Sequence, residues 1–273
     1  MKIGEKAGAM ADEPDETGKR DPLMVASVEK AFRVLGAFGK DSPTLGLTQI
    51  AEITGLDKSA AQRFTHTLMR LGYIEREDQT KRWRLALKTL ELGYHFISGH
   101  AIIQQAQPYL LQLGQVTEGA CNLTLLDDTE IVFVSRFPSR HMLATDIVVG
   151  SRMPAYCSAS GIAILSRLPE AQAMDIIDRS DLRAYTPHTT FRPEDLRDKL
   201  AETRQRGFTT CFDEYYIGDL SIAAPIIAAD GRPVAAINAA VSRAVYTPEE
   251  AVTRIAPAVA EVARAASGRI MMR

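Results

Sequence analysis

From Leu23 onward apolar residues return every three to four positions, through Val28, Phe32, Leu35 and Phe38, until Gly39 and Asp41-Ser42-Pro43 interrupt the pattern. That spacing predicts a first helix. A shorter helical pattern follows, with Thr48 near its start and Ile50, Ala51 and Ile53 directed inward. It stops at Gly55, which takes the positive φ of a tight turn without steric cost. Asp57 then offers a side-chain cap for a longer helix over about 58–71. Wound at about 100° per residue, that helix gathers Ala60, Ala61, Phe64, Leu68 and Leu71 on one side. Lys58, Ser59, Gln62, Arg63, His66 and Arg70 fall on the other.

Downstream, Ile74-Glu75-Arg76, the polar run Glu77-Asp78-Gln79-Thr80 and Lys81-Arg82-Trp83-Arg84-Leu85 read as strand, turn, strand. A long helical pattern from about Leu87 to Gln112 comes next, with Pro108 expected to break or restart it. Asn122–Leu126 and Glu130–Arg136 flank Asp127-Asp128-Thr129, and Ile222–Ala228 and Pro233–Val241 flank Asp230-Gly231, so both pairs read as antiparallel hairpins. Helical patterns fall at about 158–168, 170–178, 193–206 and 248–268. The fold class is α+β. The divisions are a charged tail over 1–22, too poor in large apolar residues to order itself, a winged helix-turn-helix over 23–86, a linker helix over 87–105 and a larger α/β domain over 106–273.

Charge changes this picture more than bulk composition does. The whole chain carries a net charge of −2, yet residues 23–88 hold 11 Lys and Arg against 7 Asp and Glu. A basic surplus therefore sits on the helix-turn-helix segment. Three scattered cysteines, Cys121, Cys157 and Cys211, form neither a disulfide framework nor a zinc motif, and no metal or cofactor site is expected. With no uncharged apolar run of about 18 residues, the expectation is a soluble cytoplasmic protein.

The polar face of helix 58–71 carries residue types that read base edges or hold phosphates: Gln for adenine, Arg for guanine, Lys and Ser for phosphate oxygens. Any surface helix has a polar face. Here, however, a preceding helix with a Gly turn and the wing cations Lys81, Arg82 and Arg84 point the same way, to double-stranded DNA. His66 is the weakest member of the face, since a helix-surface imidazole is more often simply solvated. Trp83, between two arginines on a strand, is assigned to packing.

Leu45–Glu75, reading LGLTQIAEITGLDKSAAQRFTHTLMRLGYIE, resembles the winged helix-turn-helix of the IclR-type transcription regulators. Gly150–Leu165, GSRMPAYCSASGIAIL, is similar to that family's signature segment, and Arg206–Pro225, RGFTTCFDEYYIGDLSIAAP, to its second block. The resemblance covers roughly residues 23–270. It implies a GAF-like effector-binding domain, homodimers or tetramers, operator DNA as partner with RNA polymerase as a further candidate, and control of a catabolic operon. PAYC, Leu92-Gly93-Tyr94 and Asn122-Leu123-Thr124 are similar to the branch responding to aromatic acids such as protocatechuate and 4-hydroxybenzoate. Two positions depart from the pattern: Ile162 stands where a Lys or Arg is usual, and the acidic run before the paired tyrosines is thinned to Phe212-Asp213-Glu214.

The resemblance places effector contacts at Met142, Ala159, Ser160, Asp213, Ser221 and Asn238. From the residues themselves, Ser158-Ala159-Ser160-Gly161 opens a helix whose N–H groups attract a carboxylate. Tyr156 and Met142 are placed to cover an apolar ring, with Asp213 as acceptor for a ring hydroxyl. From the residues alone, each Ser and Ala reads first as a cap or packing contact, and only the resemblance lifts it to a ligand contact. Two rival functions remain: an enzyme using Cys157 with His141 or His188 as base, and a sensor or interaction module without DNA binding. The first lacks GxSxG, HExxH and Walker patterns, and the second predicts an eroded recognition face, whereas the face is intact.

Overall fold

The computed structural model describes residues 21–139 and 147–267, and the chain divides into two compact units at Phe96/Ile97. Residues 1–20 of the expected tail, and Met142 and His141, lie outside the described residues.

The first unit contains α1 (Ala26–Gly36), α2 (Leu47–Thr54), α3 (Lys58–Arg70) and the two-stranded antiparallel β1 (Ile74–Arg76) and β2 (Trp83–Leu85). The expected turn and cap are present. Gly55 adopts φ 66° after α2, and Asp57 accepts a hydrogen bond from Ala60 N at 2.8 Å, which fixes where α3 begins. Val34, Phe38, Leu45, Ile50, Leu68 and Trp83 anchor the core, so Trp83 is a packing residue, as its alternation with arginines predicted. Backbone bonds between Leu45 and Trp83 in both directions, 2.9 and 2.8 Å, tie the wing to the segment leading into α2.

Three apolar assignments need correction. Ile53 is exposed, because the inward face of α2 is formed by Leu47, Ile50, Ala51 and Thr54. Leu71 is exposed as the residue capping α3, beyond its last full turn. Helix α1 is apolar on two sides: Val34 is fully buried, while Val28 and Phe32 are 52% and 61% exposed, and Leu23 ahead of the helix is 87% exposed.

The pattern expected as one linker helix is two helices, α4 (Thr89–Gly99) and α5 (Ala101–Thr117). The interruption lies at His100, whose backbone is extended, and not at Pro108, which sits inside α5 on its exposed side. The opposite, buried face holds the helix together there. Ile102, Ile103, Ala106 and Leu110 on that face are buried in the core of the second unit, so residues 97–105 pack with the larger domain instead of forming a free linker.

The second unit is built on β3 (Ala120–Asp127), β4 (Glu130–Phe137), β5 (Arg152–Pro154), β6 (Thr209–Phe212), β7 (Asp219–Ile227) and β8 (Pro233–Ser242). They form one antiparallel sheet in the order β5-β4-β3-β8-β7-β6. Both expected hairpins are present, as β3-β4 and β7-β8. Helix α5 and the C-terminal α9 (Pro248–Glu250), which runs through a π-helical stretch Ala251–Ile255 into α10 (Ala256–Ser267), cover one face. Helices α6 (Ala159–Leu165), α7 (Glu170–Asp178) and α8 (Pro193–Arg206) cover the other.

Strand alternation sorts the side chains between these faces. Leu220, Ile222 and Ala224 of β7 and Ile237, Ala239 and Val241 of β8 point toward α5 and α10; the residues between them face α6. The β3-β4 pair breaks this regularity. Leu123 aligns with Ser135 but Thr124 aligns with Phe133, so Val134 is an inserted residue. The bulge reverses the phase of β4 beyond it.

Candidate functional site

In the first unit, Lys58, Ser59, Gln62, Arg63 and His66 are all exposed on α3. Ser59, Gln62, Arg63 and His66 share a groove with Arg76 and the edge of Trp83 from the wing. Arg76, which sequence reading passed over, is held there by its own bond from Nε to Lys81 O at 3.1 Å and by stacking 5.5 Å over Trp83. Lys81 occupies the wing turn, exposed, with φ 57°.

The other two wing cations are tied to the protein. Arg82 donates to Thr44 Oγ1 at 3.1 Å, Thr44 O at 2.7 Å and Gln49 Oε1 at 2.9 Å. Gln49 Oε1 in turn accepts Gly46 N at 3.1 Å, at the start of α2. Arg82 therefore straps the wing to the helix-turn-helix. Arg84 is neutralised by Glu75 opposite it at 2.6 Å and by Glu77 at 3.7 Å. Of the three wing cations assigned to DNA, Lys81 alone keeps its charge outward. The pairing of β1 with β2 engages Arg84 and the segment leading into α2 engages Arg82, and single-strand periodicity does not report who sits opposite.

In the second unit a small cleft, with a cavity volume of about 40 Å³ and partly open to solvent, lies between the sheet and the segment leading into α6. Ala159, Ser160, Ser221 and Asn238 line it. Tyr156, Gly161 and Asp213 do not, and each has another role. Tyr156 is buried, and its hydroxyl donates to Arg183 O at 2.8 Å and accepts from Arg183 N at 3.0 Å. Gly161 N–H is taken by the cap residue Ser158 Oγ at 3.2 Å, and a Cβ on Gly161 would fall 2.2 Å from Ala155 O, so the glycine permits close backbone packing. Asp213 accepts Gly218 N at 2.6 Å and pairs with Arg243 at 2.6 Å. Burial acts to raise its pKa, but these two partners hold the carboxyl below the usual range.

The cavity has two kinds of wall. Ile131, Phe133, Ile147, Met153 and Tyr215 form an apolar side. Across the sheet runs a polar row: Arg136 Nη1 donates to Asn122 Oδ1 at 2.7 Å, and Asn122 Nδ2 donates to Asn238 Oδ1 at 3.1 Å. Asp219 and Ser221 stand next along the row on β7, joined by a bond from Ser221 Oγ to Asp219 Oδ2 at 2.7 Å. Burial lowers the pKa of the Arg136 guanidinium, with the nearby Asp219 acting against it. Burial likewise pushes the Asp219 carboxyl up to about 6.

Sequence reading missed Arg136 and Asp219 for different reasons. Counting by twos from Ile131 and Phe133 puts Arg136 on the opposite face, and only the bulge at Val134 brings it into the cavity. Asp219 was within reach, since it shares its strand face with Ser221, which had been singled out.

A helix-turn-helix with a wing and an outward polar recognition face, joined in one chain to an α/β unit with an amphipathic cavity, defines a one-component transcription regulator with a DNA-binding and an effector-binding domain. The chain belongs to the IclR family of bacterial transcriptional regulators. The IclR helix-turn-helix domain matches residues 27–78 and the bacterial transcriptional regulator IclR C-terminal domain matches residues 94–268. The chain is 30% identical over 245 residues to the Pca regulon regulatory protein of Pseudomonas putida, covering 89% of this chain and 84% of that one. It is also 30% identical over 219 residues to the p-hydroxybenzoate hydroxylase transcriptional activator of Acinetobacter baylyi, covering 78% and 80%. The same fold is seen in an IclR homologue complexed with 4-hydroxybenzoate from Microbacterium hydrocarbonoxydans, with TM-score 0.76, 24% identity and coverage of 89% and 98%.

Proposed function

We propose that this regulator reads operator DNA through Lys58, Ser59, Gln62 and Arg63 of α3 together with Arg76 and Lys81 of the wing, and responds to a small aromatic acid held in the cavity of its second unit. The observation that carries the effector reading is Arg136, re-aimed by the β4 bulge to stand beside an apolar wall of Phe133, Met153 and Tyr215. A cation and an aromatic-lined wall in one cleft suit a ring bearing a carboxylate. The carboxylate goes to Arg136, with Ser160, Ser221 and Asn238 as further polar contacts, and not to the start of α6, where Gly161 N–H is already taken. The names of the two relatives and the 4-hydroxybenzoate bound to the homologue agree with such a ligand.

Thermal-shift screening of the full chain against small carboxylic acids tests this reading. Benzoate-like acids are expected to raise the melting temperature and alkylamines are not. Stabilisation by cations or long-chain lipids alone would overturn it.

Catalysis by Cys157 is disfavoured by its surroundings: the residue is fully buried, burial pushes its thiol well above the ordinary range, and His188 does not line the cleft. Among the described residues no helix is long and apolar enough to cross a membrane. The regulator acts as a dimer or a pair of dimers, since one helix-turn-helix reads too few base pairs for a specific site. The exposed Leu23, Met24, Val25, Val28 and Phe32 on and before α1 are the candidate contact. Phe32→Glu should shift sedimentation toward the monomer, and an unchanged sedimentation profile would remove α1 from the interface.

A further inference from the structure

Among the described residues, the lining of the effector cavity holds a single cationic side chain, Arg136, and a single carboxylate, Asp219. One cation serves one ligand carboxylate. A second carboxylate on the ligand would meet Asp219 and be repelled, so the cavity is built for a monoacid with some other group toward β7.

That group is defined by what Asp219 lacks. Its Oδ2 accepts the Ser221 hydroxyl, while among the described residues Oδ1 accepts no hydrogen bond. The nearby Asp213 differs, with one oxygen on Gly218 N–H and the other on Arg243. A largely ionised carboxylate is acceptor-only, so a ligand group must donate to it. The apolar side of the cavity between β4 and Tyr215 is the wall against which a ring joining the two polar ends would lie.

We propose that Asp219 is the specificity-determining residue of the effector cavity, accepting a hydrogen bond from a hydroxyl on the bound acid, so that the site selects hydroxylated aromatic monocarboxylates over the unsubstituted acid. The assignment rests on the reading of the cavity as an aromatic-acid site. Asp219 also stands close enough to Arg136 for their opposite charges to attract; toward the ligand, a hydroxyl donor turns it from a repelling group into one that separates acids sharing a ring and a carboxylate. A methoxyl in place of the hydroxyl keeps the oxygen and adds bulk but removes the donor.

Calorimetry on the full-length protein with benzoate, 3- and 4-hydroxybenzoate, 4-methoxybenzoate and adipate provides the test. One hydroxybenzoate should bind about tenfold or more tighter than benzoate and 4-methoxybenzoate, the size of one charge-assisted hydrogen bond, with adipate weaker than all. In Asp219→Ala that preference should shrink to about threefold or less, with benzoate still bound through Arg136. Asp219→Asn, which keeps the volume, serves as the second variant, and the parent series alone decides the matter if neither variant folds. Equal binding of the hydroxy and methoxy acids by the parent, or an undiminished preference in a folded Asp219→Ala, would overturn the role of Asp219 while leaving the aromatic-acid reading standing. Tightest binding of adipate would overturn the monoacid selection. Binding of no aromatic acid at all would overturn the effector reading and this assignment together.

Discussion

Arg136→Met isolates the charge that the bulge delivers to the cavity. Methionine keeps an unbranched stem of similar reach against Phe133 and Met153 while removing the guanidinium. A charge-assisted hydrogen bond to a ligand carboxylate contributes about 1.5–3 kcal/mol, so the dissociation constant for an aromatic acid should rise about 10- to 150-fold. The substitution leaves Asn122 Oδ1 without its 2.7 Å donor and also relieves the desolvation that lowers the Arg136 pKa, two effects of opposite sign. With ligand at about 100 times the parent's dissociation constant, binding stabilises the parent by about 2.7 kcal/mol, whereas a variant weakened about 100-fold keeps about 0.4 kcal/mol. At about 2–4 °C per kcal/mol for a unit of this size, the ligand-induced shift falls from about 5–10 °C to about 1 °C. Differential scanning fluorimetry resolves that difference, and an operator gel shift without ligand controls for damage to the first unit. If aromatic acids stabilised Arg136→Met as strongly as the parent, the cavity would not be reading a carboxylate through β4.

Gly161→Ala places a Cβ 2.2 Å from Ala155 O and 2.4 Å from its Cα; because neither atom belongs to a flexible side-chain tip, the loss should reach about 3 kcal/mol or more, and an unchanged melting curve would contradict the close packing. Asp219→Asn should stabilise the effector-free protein above about pH 6, because a carboxyl raised to about 6 by burial binds protons more readily folded than unfolded. The parent then gains stability as pH falls from about 6 toward its ordinary value near 4, and the variant's advantage closes over that window. An advantage that widened on acidification would refute this. Arg63→Ala should weaken operator binding by about 1–3 kcal/mol. Arg82→Ala should weaken it with little change in the salt dependence, since Arg82 holds Thr44 and Gln49 rather than a phosphate. A salt slope reduced by about one phosphate contact in Arg82→Ala would return that residue to the DNA surface.

Local chemistry made much of the first unit legible in the chain itself. Gly55 and Asp57 mark the turn and the cap of α3 by properties of single residues, and the polar face of α3 is set by helical periodicity once its start is fixed. The hairpins β3-β4 and β7-β8 were equally legible, because their turns lie between alternating apolar runs. Ala159, Ser160, Ser221 and Asn238 reached the cavity through family likeness rather than periodicity.

The tertiary structure decided every question of which side chain stands opposite which. The pairing of β1 with β2 neutralised Arg84, and the packing of the wing on α2 captured Arg82. Closure of the Asp213–Gly218 turn on Arg243 engaged both oxygens of Asp213, and Asp219 rather than Asp213 lines the cavity. The inserted residue Val134 turned Arg136 from the helix-covered side of β4 into the cavity. A period of two or 3.6 residues describes a strand or helix in isolation. Register, bulges and cross-strand partners are properties of two segments at once, and their energies arise only when distant parts of the chain meet.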